Sequence, residues 1–330
     1  MTEGLGFLIF TFAVILAFEA VNGWTDAPNA VATVVSTRAL PPMAAVAMAA
    51  ILNLAGVFAG TAVASTIGKG IVDLQAVTLE TAAAAALAVV LWSSFAAYFG
   101  LPTSESHGIV AAIAGAAVAV AGTDVLLWDG WQKVLTGVGA AVVFGFGGAF
   151  MITVALLWIL QKANPALVRR LFGPLQIVSS GFMAFSHGTA DGQKAVGVMA
   201  MALAIYNDTP TNEFSVPLWT ILLGATTMGV STMAGGWRII RTLGMRVTHL
   251  ETYQGFAAEA AAATTLTVTS RFGIPLSTTH TIGSAIMGVG ATRRLSAVRW
   301  GVAYNIVAAW ILTFPICFGL AWLIALAIPG

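Results

Sequence analysis

Two segments of this chain set rare polar residues in one order. The first reads Pro102-Thr103-Ser104-Glu105-Ser106-His107 and the second Pro275-Leu276-Ser277-Thr278-Thr279-His280. In each, a Gly-x-Pro break precedes the hydroxyls and an apolar run follows them. Ser and Thr are natural helix N-caps. A helix N-terminus offers free amide hydrogens and partial positive charge, which suits an oxyanion. Ser104, Ser106, Ser277, Thr278 and Thr279 are therefore candidate anion ligands, with two helix ends converging on one site. His107 and His280 are open to three roles: positioning the loop, carrying a proton or touching the ligand. Glu105, beside an anion site, either faces away, is protonated or takes part in proton coupling.

A second pair of segments carries carboxylates within apolar runs. Asn22-Gly23-Trp24-Thr25-Asp26-Ala27-Pro28-Asn29 interrupts a run from Leu5 to about Val35, and Gly188-Thr189-Ala190-Asp191-Gly192-Gln193-Lys194 aligns with it later in the chain. A carboxylate at membrane depth costs at least a few kcal/mol and marks a functional candidate. Asp26 and Asp191 are the candidate coupling residues, for H+ or for Na+. Asn29 adds an amide oxygen to the first, so Asp26, Asn29 and Asp191 form the metal set if the ion is Na+. Lys194 either pairs with Asp191 or draws the anion. Pro28 lacks an amide hydrogen and Gly23 is a poor helix former, so the helix is expected to open here. Opened backbone at membrane depth must be buried in protein or line a cavity. Glu19, Glu80 and Glu259 read as structural polar contacts, Glu259 at the boundary between the halves.

The elements that must hold these residues are membrane helices. The chain is 58% hydrophobic and 8% charged, against about 25% charged in soluble domains. This composition predicts an all-α polytopic membrane protein. No basic patch suggests nucleic acid. One cysteine, Cys317, excludes an internal disulfide and a thiolate cluster and reads as a buried thiol. Met1-Thr2-Glu3 lacks a basic n-region, so the first apolar run reads as structure rather than a cleaved signal. Alanine-rich patches at 82–86 and 257–263 predict close helix packing, and the tryptophans read as interfacial anchors. At roughly 20 apolar residues per span, ten crossings are expected. They lie near 5–37 (broken), 43–67, 76–99, 101–121 (short), 134–160, 174–206 (broken), 215–235, 254–271, 274–291 (short) and 300–328. Basic loops at 162–170, 238–246 and 293–299 go to the cytoplasm, and the acidic loop 207–214 and the Glu3 end go outside. Five crossings per half invert the second half. Residues 1–160 and 161–330 then form two inverted repeats of one transport domain, with broken helices and re-entrant-like hairpins.

At these residues the chain resembles the inorganic phosphate transporter family, close to its bacterial low-affinity branch. Asn22 to Arg38 is similar to the family's first signature, Phe185 to Ala195 to the second, and Gly273 to His280 to the C-terminal loop. The similarity spans nearly the whole chain, including Ile286 to Gly290 and Leu295 to Trp300. The resemblance implies a symporter of inorganic phosphate driven by Na+ or H+ in the cytoplasmic (inner) membrane, assembled as a homodimer. It places phosphate at Ser104, Ser106, Ser277, Thr278 and Thr279, and the cation near Asp26, Asn29 and Asp191. No resident cofactor is implied, although some relatives carry phosphate as a neutral complex with a divalent metal. Thr25 and Ala190 stand where the family has Asn, and Glu105 where it has Ser or Thr. The two lost amides favour H+. A sulfate symporter and an anion channel are the competing readings. An enzyme is not expected, since no His-Glu-x-x-His motif occurs.

Overall fold

A computed structural model describes residues 4–328, and Glu3 lies outside them. Every regular element among the described residues is helical, and the one β-bridge, Val72 with Leu126, is isolated. The helices are α1 (Leu5–Ser36), α2 (Pro42–Val57), α3 (Ala62–Lys69), α4 (Leu79–Tyr98), α5 (Glu105–Ala121), α6 (Trp128–Leu160) and α7 (Pro165–His187). After them come α8 (Gln193–Tyr206), α9 (Leu218–Thr232), α10 (Trp237–Arg241), α11 (Thr252–Arg271), α12 (Thr278–Ala291) and α13 (Trp300–Ala327). Four of them, α1, α4, α6 and α13, are long and apolar enough to cross a membrane, and two bent pairs raise the number to six. Large apolar side chains such as Phe144, Met151, Trp158 and Ile311 face outwards, while Asp26, Asp191 and Lys194 are buried. A lipid solvent requires that arrangement, because polar groups must be satisfied inside the protein.

Helix α1 differs from expectation: it does not open at Gly23–Asn29 but runs unbroken with Pro28 inside it. Proline removes one ladder donor, and the helix keeps the rest of its ladder through a segment packed inside the protein. Gly236 makes room for the irregularity. A Cβ there would meet the Trp24 carbonyl at 2.9 Å and the Pro28 ring at 3.0 Å. The second expected break is a single π-turn, Gly188–Gly192, between α7 and α8. The span expected at 43–67 is instead two helices, α2 and α3, bent by 71°, while α9 fills the span expected at 215–235 and the basic segment after it, expected as a loop, folds as α10, turned by 62° from α9. Both alanine patches pack inside as expected, Ala82 to Ala86 without exception.

The short helices α5 and α12 occupy the centre, and α12 is buried along its whole length. Each is embraced by the long helix of the other half: α13 packs on α5, and α6 on α12. The contacts match in detail. Gly115, fifteen residues after positive-φ Gly100, faces the Phe318 carbonyl, where a Cβ would approach to 2.1 Å. Gly288, fifteen after positive-φ Gly273, faces the Phe146 carbonyl in the same way, at 2.3 Å. Thr66 donates to the Gly273 carbonyl at 2.7 Å and Thr242 to the Gly100 carbonyl at 2.9 Å. A Gly288→Ala protein is expected to lose about 1–3 kcal/mol, read as a lower thermal midpoint in detergent. Gly139→Ala, with nothing within 4 Å, is the control that should not move.

Candidate functional site

Ser104 caps α5 and Ser277 caps α12, each hydroxyl accepting the amide of the histidine three residues on, at 3.2 Å. These two serines serve their own helices. The other three hydroxyls reach across the molecule. Thr278 donates to Asp191 at 2.8 Å and lies 3.4 Å from Asp26. A hydroxyl has one proton, so the shorter contact holds it. Thr279 donates to Asp26 at 3.0 Å. Ser106 donates to the Leu276 carbonyl at 3.0 Å and accepts from Lys194. Asn29 spends both amide protons, on Thr278 at 3.1 Å and Thr279 at 2.9 Å. The expected anion and cation residues thus form one connected network rather than two sites.

Lys194 answers the alternatives left open for it in one respect: its ammonium pairs with Asp191 three residues earlier. The π-turn supplies that geometry, since π-bulges displace side chains from helical register and recur at functional sites. It is locked from outside by α2. A Cβ on Gly188 would meet the Asn53 carbonyl at 2.1 Å, and the Thr189 hydroxyl lies 3.1 Å from the Gly56 carbonyl, shared with the Phe185 carbonyl of its own turn at 3.0 Å. Asp26, Asn29, Asp191, Lys194, Glu105 and the five hydroxyl residues are all buried. A buried ion pair needs further hydrogen bonds to offset desolvation, and Thr278 and Ser106 provide them.

Glu105 does not face away. One of its oxygens lies 2.9 Å from the Thr25 hydroxyl, which also reaches the Val21 carbonyl at 2.8 Å, while its second oxygen has no hydrogen-bond partner among the described residues. Asp26 is its electrostatic neighbour. Among the described residues, no hydrogen bond reaches His107 Nδ1, His107 Nε2 or His280 Nε2. The two rings meet edge to face at 4.4 Å, and α13 clamps them: Phe314 stacks on His107 at 4.7 Å and Trp310 on His280 at 4.0 Å. Trp310 is buried and donates to the Pro102 carbonyl at 3.1 Å, so this tryptophan is not an interfacial anchor. The reason is the exchange of α13 onto the opposite half's hairpin.

Sequence reasoning did not single out His187. Its Nε2 sits 3.3 Å from Asp191 and 3.9 Å from Asp26, and its Nδ1 meets Asn53 at 3.1 Å. Asp26, His187 and Asp191 each present one ligand atom, all within 4.8 Å of one another, a spacing that suits one metal ion. The signal was the i, i+4 spacing of His187 and Asp191 inside the second signature. Asn29 Oδ1 is buried without a partner and is a further oxygen available to a cation. Glu259 behaves as expected, bridging α1 and α7 by accepting from Thr33 and Ser179. Glu19 accepts from Asn22 within α1 at 3.1 Å. Cys317 is buried and unpaired by disulfide.

Known proteins share this chain's sequence and fold. Residues 22–321 match the Phosphate transporter family. A probable low-affinity inorganic phosphate transporter of Rhizobium meliloti is 40% identical over 93% of this chain and 92% of its own. One of Bacillus subtilis is 38% identical over 94% of each. A putative phosphate permease of Pyrococcus abyssi is 27% identical over 94% of this chain and 95% of its own. Among solved structures, "The sodium-dependent phosphate transporter" superposes with a TM-score of 0.87 at 25% identity, covering 98% of this chain and 99% of that one.

Proposed function

The chain belongs to the phosphate transporter family, and from that premise we propose that it imports inorganic phosphate across the cytoplasmic membrane by symport with H+. It is an integral membrane protein. The observation that carries the reading is the shared donor set: Thr278 and Thr279 hold the carboxylates of Asp191 and Asp26 with the protons a tetrahedral oxyanion would need. When phosphate accepts from these hydroxyls, from Ser106 and from the first-turn amides of α5 and α12, the carboxylates lose their donors. A cation arriving at Asp26 compensates that loss. Anion and cation occupancy are then linked, each favouring the other by the same factor.

Ten crossings in two inverted repeats, residues 1–160 and 161–330, are part of this reading. The paired bends, the exchanged α6 and α13, and the matched contacts of Gly115 and Gly288 support it. Alternating access follows as rocking of one repeat against the other around the site. Assembly as a homodimer belongs to the same proposal, and a mass measurement on the detergent complex checks it.

A proton is favoured because Asp191 already has Lys194 as its counter-charge, whereas Asp26 has no lysine or arginine partner among the described residues and only the His187 ring 3.9 Å away. Sodium is the second reading, favoured by the unpartnered Asn29 Oδ1 beside Asp26 and by the sodium-dependent structural relative. Labelled phosphate uptake into proteoliposomes under separate proton and Na+ gradients discriminates them. Accumulation driven by an inward proton gradient alone is the expected result. Accumulation only with Na+ transfers the coupling role to Asp26, Asn29 and Asp191 as sodium ligands. A parallel arm with divalent metal tests transport of the neutral metal–phosphate complex.

Glu105 is the selectivity residue on this reading. Near neutral pH phosphate keeps a donor hydroxyl and sulfate has none, so the unpartnered Glu105 oxygen favours phosphate. A charge-assisted hydrogen bond of this kind is worth about 1.5 kcal/mol, roughly tenfold. In Glu105→Gln, excess sulfate is expected to inhibit phosphate uptake about ten times more effectively than in the parent. Unchanged inhibition removes Glu105 from substrate discrimination.

A further inference from the structure

A second cationic location lies outside the buried network. A cavity of about 630 Å³ opens between the end of α3, the start of α6 and the turn joining α11 to α12. Lys69, Lys133 and Arg271 line it, against one carboxylate, Asp129. The whole chain has 14 Lys and Arg, so three around one opening is a concentrated charge. Lys69 gives one proton to the Thr211 carbonyl at 3.3 Å and lies over the Phe214 ring. Lys133 and Arg271 have no hydrogen bond or ion pair among the described residues. Asp129, four residues before Lys133 on α6, is the one carboxylate that shares the opening with them.

The opening is framed by close backbone contacts and adjoins the segment that leads to α12. Gly130 lies so close to the Gly70 carbonyl that a Cβ would meet it at 1.8 Å. The end of α3 and the start of α6 are thereby fixed together, and Lys69 with Lys133. The Thr66 hydroxyl, also lining the cavity, donates to the carbonyl of Gly273, another lining residue. Gly273 takes a φ of +65° and leads directly into the loop that ends at Ser277, the cap of α12. One wall of the cavity is therefore the start of the segment that leads into the cap of α12. A cavity of about 420 Å³ beside Thr25 is lined by a single cation, Arg238. That guanidinium is committed to the Tyr98 carbonyl and ring. The cavity at α3 and α6 thus carries three cations against one carboxylate, and the cavity beside Thr25 a single committed cation.

We propose that the cavity lined by Lys69, Lys133 and Arg271 is an anion vestibule that captures divalent hydrogen phosphate and delivers it to the buried site past the Gly273 loop. It rests on the phosphate transport reading above and adds the capture step to it. A cleft lined by one sign of charge concentrates a small counter-ion and raises its on-rate, an effect that salt suppresses.

Uptake kinetics in proteoliposomes at low and high salt test it, with Lys133→Gln, Arg271→Gln, their double variant and Asp129→Asn. At low salt each lost cation is expected to raise the phosphate KM about threefold, and the double variant about tenfold. Asp129→Asn should lower KM about twofold. Maximal rates should match the parent, Lys133→Arg and Arg271→Lys should keep its KM, and high salt should merge all the values. A double variant with the parent's KM at low salt overturns the vestibule, as does a KM change that persists at high salt or in the charge-conserving variants. If the parent transports sulfate instead, the substrate reading fails while the same KM series, run with sulfate, still decides the vestibule. A parent that accumulates neither anion overturns both.

Discussion

Replacing Lys194 by methionine is expected to abolish phosphate uptake and to destabilise the fold by about 3–5 kcal/mol. The side chains are similar in length, so packing is largely kept and the charge is lost. Asp191 would then be a fully buried carboxylate with only Thr278 and His187 beside it. Ser106 would lose the donor that fixes it against the Leu276 carbonyl. An uncompensated buried charge is far more costly than the absence of the pair. The double variant Lys194→Met/Asp191→Asn should therefore recover most of the lost stability while remaining inactive. Thermal unfolding in detergent reads the first effect and labelled phosphate uptake the second. A Lys194→Met protein as stable as the parent overturns the ion pair, and an active one removes Lys194 from the anion site.

Asp26→Asn should reduce gradient-driven uptake at least a hundredfold with little change in stability, about 1 kcal/mol or less. Asparagine is nearly isosteric and its amide oxygen can still accept from Thr279. It cannot take up a proton or carry the charge that a cation would neutralise. Phosphate binding, measured on the purified protein, should survive because the hydroxyl donors and Lys194 remain. The combination of retained binding and lost accumulation separates a coupling residue from a purely structural one. Undiminished phosphate flux in Asp26→Asn would favour the channel reading, since a channel has no use for a coupling carboxylate.

Much of the site was legible because its signals are local. A serine after Gly-x-Pro and before an apolar run caps the helix that follows, and both Ser104 and Ser277 do so. The Asp191–Lys194 pair, three residues apart, was visible in the sequence as one of two roles for Lys194, and the structure shows the pairing. Other features escaped for equally specific reasons. Pro28 signalled a break, but its cost is absorbed by Gly236 from a segment more than two hundred residues away. The bend after α2 falls within an apolar run, where hydropathy is blind to direction, and the one after α9 leads into a basic segment whose charges read as a loop. His187 was visible beside Asp191, yet its relation to Asp26 depends on how α1 lies against α7.

The chain's composition and periodicity by themselves determined a lipid-facing bundle with polar groups inside, two capped short helices and a pair of intramembrane carboxylates. These follow from solvent transfer and from hydrogen bonding within a few residues. Only the tertiary structure decided that anion and cation candidates share one network. Asn29 and Thr279 are 250 residues apart in sequence and 2.9 Å apart in space. A hydroxyl proton can serve Asp26, Asp191 or its own helix, and no local pattern states which. That choice is made by the packing of α1, α8 and α12 around one another, because a hydrogen bond exists only where the fold brings donor and acceptor within about 3 Å.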